Sequence, residues 1–213
     1  MRKFAVLVFL MALLSINAFS EMTFGFNTSI NFLNETYIEE NYKRFLAGMG
    51  EQFRFEIYGK DSIVGFFAQD EIGFYSTNKQ DTFLSFYVSM AAGPSFILRT
   101  SSKRIFASLS MGMMLQWYNE FYTVKENLNS GTWSAPRAYT AFDIGGMADL
   151  AIVLKTSGRF FGRFGITGEF VFFRSESGNS IRNANKIEFL GQGPYMGYVI
   201  KPHIGIGLGY LFD

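Results

Sequence analysis

Arg54, Glu56, Glu71, Asp143, Asp149, Arg163, Glu169, Lys201 and His203 share one property. Each lies on the small or polar side of a segment whose other side is apolar, with a period of two. A strand sends successive side chains to opposite faces, so these ionisable groups collect on the face away from the apolar one. Three kinds of chemistry could use such a set. Asp143, Asp149 and Glu169 are the residue types of a paired-carboxylate site, but they lie in strands rather than in loops where a substrate arrives. His203, the chain's single histidine, could act as a base. Its neighbours along the strand are glycines, with no serine or carboxylate, which fits a hydrogen-bonded interior residue better. Gly205, Gly207 and Gly209 imitate a nucleotide fingerprint, yet no helix follows them, and the fingerprint needs one. No catalytic residue, cofactor site or metal site is expected, and a chain without cysteine has no thiolate ligands. What remains is a charge network, which either lines a solute path or fills an interior with paired groups. Ionised groups in a narrow space need partners or water, and the paired, filled interior is the expectation.

The elements that position these groups are strands of an unusual kind. From His203 to Phe212, Ile204, Ile206, Leu208, Tyr210 and Phe212 face one way, and His203, Gly205, Gly207, Gly209 and Leu211 the other. A soluble sheet wets a charged face, for which glycine is a poor choice. A strand greasy outside and small inside suits a narrow barrel in lipid, with aromatic residues at the interface. The same alternation runs through Phe24–Phe32, Phe45–Ile57, Val64–Phe74, Leu84–Leu98, Ile105–Trp117, Tyr139–Leu154 and Phe160–Phe172. Splitting the last segment at Lys201–Pro202 gives nine strands; keeping it whole gives eight, an even number with both ends on one side. Eight is expected. Connections at 60–61, 100–103 and 155–158 are short, those at 34–41, 124–137 and 176–192 long, and 77–81 intermediate, which puts the short turns on the periplasmic side. Bulges are expected at Pro94 and Pro202, which lack a donor. Glu51 and Asp70 blemish the apolar face, and a bulge near Phe66–Phe67 would turn Asp70 inward.

Ahead of the strands stand Arg2-Lys3, an apolar run of 11 residues from Phe4 to Leu14, and Ala18-Phe19-Ser20. These are the parts of a secretory signal peptide with cleavage before Glu21, and the run is too short to span a bilayer. The expected organisation is therefore a signal at 1–20 and one barrel domain at 21–213. With 22 glycines, 4 prolines, no cysteine and a net charge of +1, the chain has neither a disulfide framework nor a basic patch for nucleic acid.

The ending carries a family likeness. Gly207, Tyr210 and Phe212 match a terminal assembly signal of a polar residue, a glycine and apolar residues closing on an aromatic; Gly205 replaces the polar residue and Asp213 follows the aromatic. Pro202, Gly209-Tyr210 and Phe212 are similar to an OmpW-like ending. On these residues and its strand pattern the whole mature chain resembles the small eight-stranded bacterial outer-membrane barrels: the OmpA membrane domain, OmpX and OmpW. The resemblance implies an all-β, transmembrane, antiparallel up-and-down barrel in the bacterial outer membrane. Its expected partners are outer-membrane lipid and, during biogenesis, the barrel-assembly machinery, and it is expected to be a monomer. The function implied is non-enzymatic: a largely plugged barrel displaying four extracellular loops for surface interaction or adhesion, with the outside partner left open. The alternatives are an OmpW-like conduit for small hydrophobic molecules, its lumen lined by Met114, Met147 and Phe161, and a lipid-modifying enzyme.

One register can be predicted. A turn centred on Thr156 sets Asp149 opposite Arg163 and Asp143 opposite Glu169. The first is a salt bridge. The second places two acids at one level, which calls for Arg54, Lys201 or Arg163, or for a proton on one acid. On that count Arg163→Ala should cost more than Asp149→Ala.

Overall fold

The computed structural model describes residues 19–37, 42–59, 62–76, 84–100, 104–128, 131–156, 159–178 and 195–211. The signal segment proper, the expected turn at 77–81 and most of 176–192 lie outside the described residues. Eight strands follow in chain order: β1 (Phe19–Tyr37), β2 (Tyr42–Gly59), β3 (Val64–Ser76), β4 (Leu84–Arg99), β5 (Ile105–Leu128), β6 (Gly131–Lys155), β7 (Phe160–Gly178) and β8 (Tyr195–Leu211). Each pairs antiparallel with its sequence neighbour, and β8 returns to β1, so the sheet closes into a barrel. Closure leaves no sheet edge in the wall, the condition for strands to cross hydrocarbon with their backbone groups satisfied.

Period-two patterning decides which face is which. In β3, Phe66, Ile72 and Phe74 are exposed while Phe67, Gln69, Glu71 and Tyr75 are buried. The rule holds around the wall: Phe26, Leu98, Trp117, Phe164 and Ile206 lie outside, and arginine, lysine, glutamate and glutamine lie inside. An apolar exterior over a polar interior inverts a soluble protein and defines a membrane β-barrel.

Several expected details are corrected. The segment 124–137 is not a long loop: β5 and β6 stay paired from Phe121↔Ala138 out to Leu128↔Gly131. Polar residues end the lipid-facing pattern, not the ladder, because a two-stranded ribbon in water can be wet on both faces. The segment 34–41 shrinks likewise, with β1 and β2 paired to Tyr37↔Tyr42. Neither proline makes a bulge. Pairing of β4 with β5 skips from Ala92↔Met113 to Ser95↔Ser110, and that of β1 with β8 from Ser29↔His203 to Phe32↔Ile200, without a change of register. Each proline keeps its place beside the other neighbour, at Phe66↔Pro94 and Ile166↔Pro202, so its missing donor costs one ladder locally.

No bulge re-aims Asp70 either. β3 pairs without interruption from Gly65 to Ser76 on the β2 side and from Val64 to Ser76 on the β4 side, leaving Asp70 exposed opposite Phe53 and Met90. Glu51 is exposed next to it, accepting from the Thr28 hydroxyl at 3.2 and 3.1 Å. Charge on a lipid face is destabilising near the midplane. Asp70→Leu should therefore raise the urea midpoint of the barrel in liposomes, by about 1–2 kcal/mol of stability. A fall would show that the carboxylate has a protein partner.

The irregularity that does occur is on β7. Ile144 pairs with Phe173 and Gly145 with Val171, so Phe172 is an extra residue. Phe172 and Phe173 both face outward, and everything beyond is inverted. Gly145 permits the close approach, since a Cβ there would lie 2.3 Å from the Phe170 carbonyl oxygen.

Candidate functional site

The interior is a stack of ionic tiers, described from the end that carries the short turns. At that end Glu21 accepts from Arg99 at 3.0 Å and from Lys155. The two cations also lie over the rings of Tyr58 and Phe106, at 6.0 and 5.3 Å. Above it, β2, β6, β7 and β8 deliver Arg54, Glu56, Asp149, Arg163 and His203 to one cluster. Arg54 donates to Glu56 at 2.7 Å, and Arg163 donates to Glu56 at 3.2 Å and also to Asp149. Asp149 lies 3.6 Å from Arg54, 2.7 Å from Nε2 of His203, and accepts from the Thr167 hydroxyl at 2.9 Å. Gln69 accepts from Arg54 at 2.9 Å, and the Phe67 ring lies 4.5 Å from its guanidinium.

The next tier centres on Lys201, which donates to Glu71 at 2.9 Å and to Glu169 at 2.8 Å. Glu71 also accepts from Gln52 at 3.2 Å, Asn31 at 3.3 Å and the Tyr87 hydroxyl. In the top tier Arg174 grips both oxygens of Asp143, at 2.6 and 2.7 Å, and Gln116 adds a bond at 3.3 Å. Beside it Tyr118 donates to Glu120 at 2.8 Å. Every acid named in these tiers is buried.

All nine ionisable candidates thus lie on the inner face. Their pairing differs from the expected register. The β6–β7 turn closes further along, with Thr156 bonded to the Phe160 carbonyl and Lys155 opposite Phe161. Asp149 therefore faces Thr167 rather than Arg163, Glu169 faces Met147, and Asp143 faces Arg174. The Asp149–Arg163 bridge still forms, because the long arginine reaches along the barrel axis. The two acids do not share a level: Lys201 serves Glu169, and Arg174 serves Asp143. Arg174 escaped the sequence pattern because the parity of Phe160–Phe172 sends it outside. The bulge at Phe172 turns it in, and the only hint was the paired Phe172-Phe173. Glu21, Arg99 and Lys155 were also missed, since they sit at or near strand ends where alternation is shortest, and Glu120 because it lies past Trp117, where the apolar alternation of β5 stops.

Nε2 of His203 is bonded to Asp149, and its Nδ1 has no hydrogen-bond partner, so among the described residues no hydroxyl is bonded to this imidazole. The residues proposed for a conduit are packed: Met114 and Met147 sit with Phe67, Ala91 and Val171, and Phe161 with Tyr58, Ile97, Phe106 and Val153. Of the assembly signal, Gly207 lies under the Phe161 ring, where a Cβ would come within 2.2 Å. Tyr210 pairs in the backbone with Met22, and Phe212 lies outside the described residues.

No protein-family model and no curated protein sequence matches the chain. Solved structures do. A major outer membrane protein from Thermus thermophilus superposes with a TM-score of 0.52 at 10% identity, covering 89% of this chain and 99% of that one. Neisserial surface protein A gives 0.48 at 10% identity over 87% and 96%. Ail, the attachment invasion locus protein of Yersinia pestis, gives 0.44 at 12% identity over 90% and 99%. At these identities the likeness is one of architecture, and the architecture of this chain is that of a small outer-membrane β-barrel.

Proposed function

We propose that this protein is a non-enzymatic resident of the bacterial outer membrane, exported by the segment 1–20 with cleavage before Glu21, whose closed lumen makes it a rigid mount for surface hairpins. The observation that carries this reading is the ionic stack. Eight strands leave room only for side chains or one small ligand. Here that room is taken by tiers of paired charges: β2 is tied across the lumen to β7 through Glu56–Arg163 and β3 to β8 through Glu71–Lys201, while Asp143–Arg174 joins the neighbouring strands β6 and β7.

The hairpins support the second half. β5 has 24 residues and β6 has 25, against 13 in β3. Pairing of β5 with β4 ends at Leu84↔Phe121, and that of β6 with β7 at Tyr139↔Gly178. The ribbon beyond has outer edges with no strand partner among the described residues, and unpaired edges are templates for an incoming chain. The purified barrel should be silent in planar bilayers, and protease on intact cells should cut within 122–139 while leaving the barrel whole. Stable channels of nanosiemens conductance would overturn the closed lumen; a ribbon untouched on cells would overturn surface display.

A further inference from the structure

The outer wall is not uniform. At two successive outward levels, β6 and β7 carry Gly146, Ala148 and Gly168, three small residues on a wall whose outward side chains are mostly large and apolar. Ala148 is opposite Gly168, and the level continues to Met111 on β5 and Ile200 on β8. The result is a groove of about 470 Å³, its floor made by the three small residues and its sides by Met111, Ile200 and the Phe172 ring that the bulge pushes out. The floor is open at Gly168, where an added Cβ would meet nothing nearer than the Ala148 carbonyl oxygen at 4.0 Å, while the Phe172 ring stands over Gly146, 3.0 Å from an added Cβ there. A second groove of about 350 Å³ lies nearer the hairpin end, between Val88, Leu115, Trp117 and Phe142. Its lining includes the polar Asn119, which accepts from the Thr140 hydroxyl at 2.8 Å. Both grooves open on the outward face among exposed apolar side chains such as Phe170, Ile200, Val88 and Trp117. On the opposite wall Glu51 and Asp70 are exposed, one level from the outward pair Ala68 and Ala92.

We propose that the groove over Gly146, Ala148 and Gly168 binds one acyl chain of a membrane lipid and keeps it through extraction. The groove opens sideways into the apolar band, so hydrocarbon is what reaches it, and its volume lies within the roughly 300–1,000 Å³ of ligand pockets. Bulk lipid slides over a smooth wall. A chain lying in a depression makes contacts on three sides and gains dispersion and burial that its neighbours lack. The inference rests on the bilayer placement proposed above.

Gly168→Leu tests it, because the position is open, extended and away from the lumen; Ala148→Leu is a second filling variant, and Ala92→Leu, an outward alanine on β4, is the control. The full-length barrels are delipidated, given dimyristoyl phosphatidylcholine and released from mild detergent in a native mass spectrometer. Wild type and Ala92→Leu should each carry a single lipid adduct, and both filling variants should lose it. In liposomes with chain-labelled phosphatidylcholine, the motionally restricted fraction should fall in the filling variants alone. An adduct kept by both, or lost equally from the control, would overturn the assignment, as would a dimer that the filling variants abolish. Failure of the wild type to insert into liposomes at all would instead remove the membrane reading, and the groove assignment with it. Heat-dependent gel mobility establishes that each variant is folded.

Discussion

Arg163→Ala and Asp149→Ala will each destabilise the barrel by about 3–5 kcal/mol, and to a similar extent, as expected for leaving one partner of a buried pair unanswered. The expectation drawn from the simple register, that the arginine matters more, depended on Asp143 and Glu169 sharing the level of this pair. They do not, and each has its own cation. The local group is Arg54, Arg163, Glu56 and Asp149, balanced when His203 is neutral. Removing the arginine leaves two carboxylates around Arg54; removing the aspartate leaves two guanidinium groups around Glu56 and strips His203 of its acceptor. Either deletion leaves one buried charge in excess. The double variant Arg163→Met with Asp149→Leu removes both and should be more stable than either single variant, because a desolvated pair returns little more than it costs. Urea unfolding in liposomes reads all three. A double variant that loses the sum of the two singles would show that the residues do not interact.

Lys201→Met should have an effect of the same size, in a separate tier. Lys201 is the cation bonded to both Glu71 and Glu169, and all three are buried. Without it two carboxylates face each other in a dry interior, with Gln52, Asn31 and Tyr87 able to answer Glu71 alone. A loss of about 3–5 kcal/mol is expected at neutral pH. Urea unfolding in liposomes reads it, beside Lys201→Arg, which keeps the cation and should recover most of the loss. An arginine variant as weak as the methionine variant would mean that the lysine acts through packing rather than charge.

The wall and the contents of the lumen were legible in the residues. Period two in Ile105–Trp117 and His203–Phe212 assigns inside and outside without any tertiary information, because a strand exposes both faces to different media and each side chain must suit its own. Strand number followed from the need for an even count. The polar side of each segment named the nine interior groups.

What faces what was not legible. Register depends on where a turn closes, and the β6–β7 turn closes past Thr156, which moves Asp149 from Arg163 to Thr167. A bulge is the insertion of one residue between two strands, so Phe172 could be recognised only against its partners Ile144 and Gly145, and Arg174 comes inside solely as its consequence. The sequence from 122 to 138 carries no lipid-facing pattern, and only pairing reveals that it is a ribbon. The groove over Ala148 and Gly168 joins residues that are neighbours across strands and distant along the chain. Local alternation thus determined the side of the wall on which each residue stands; closure of the sheet decided which of them meet.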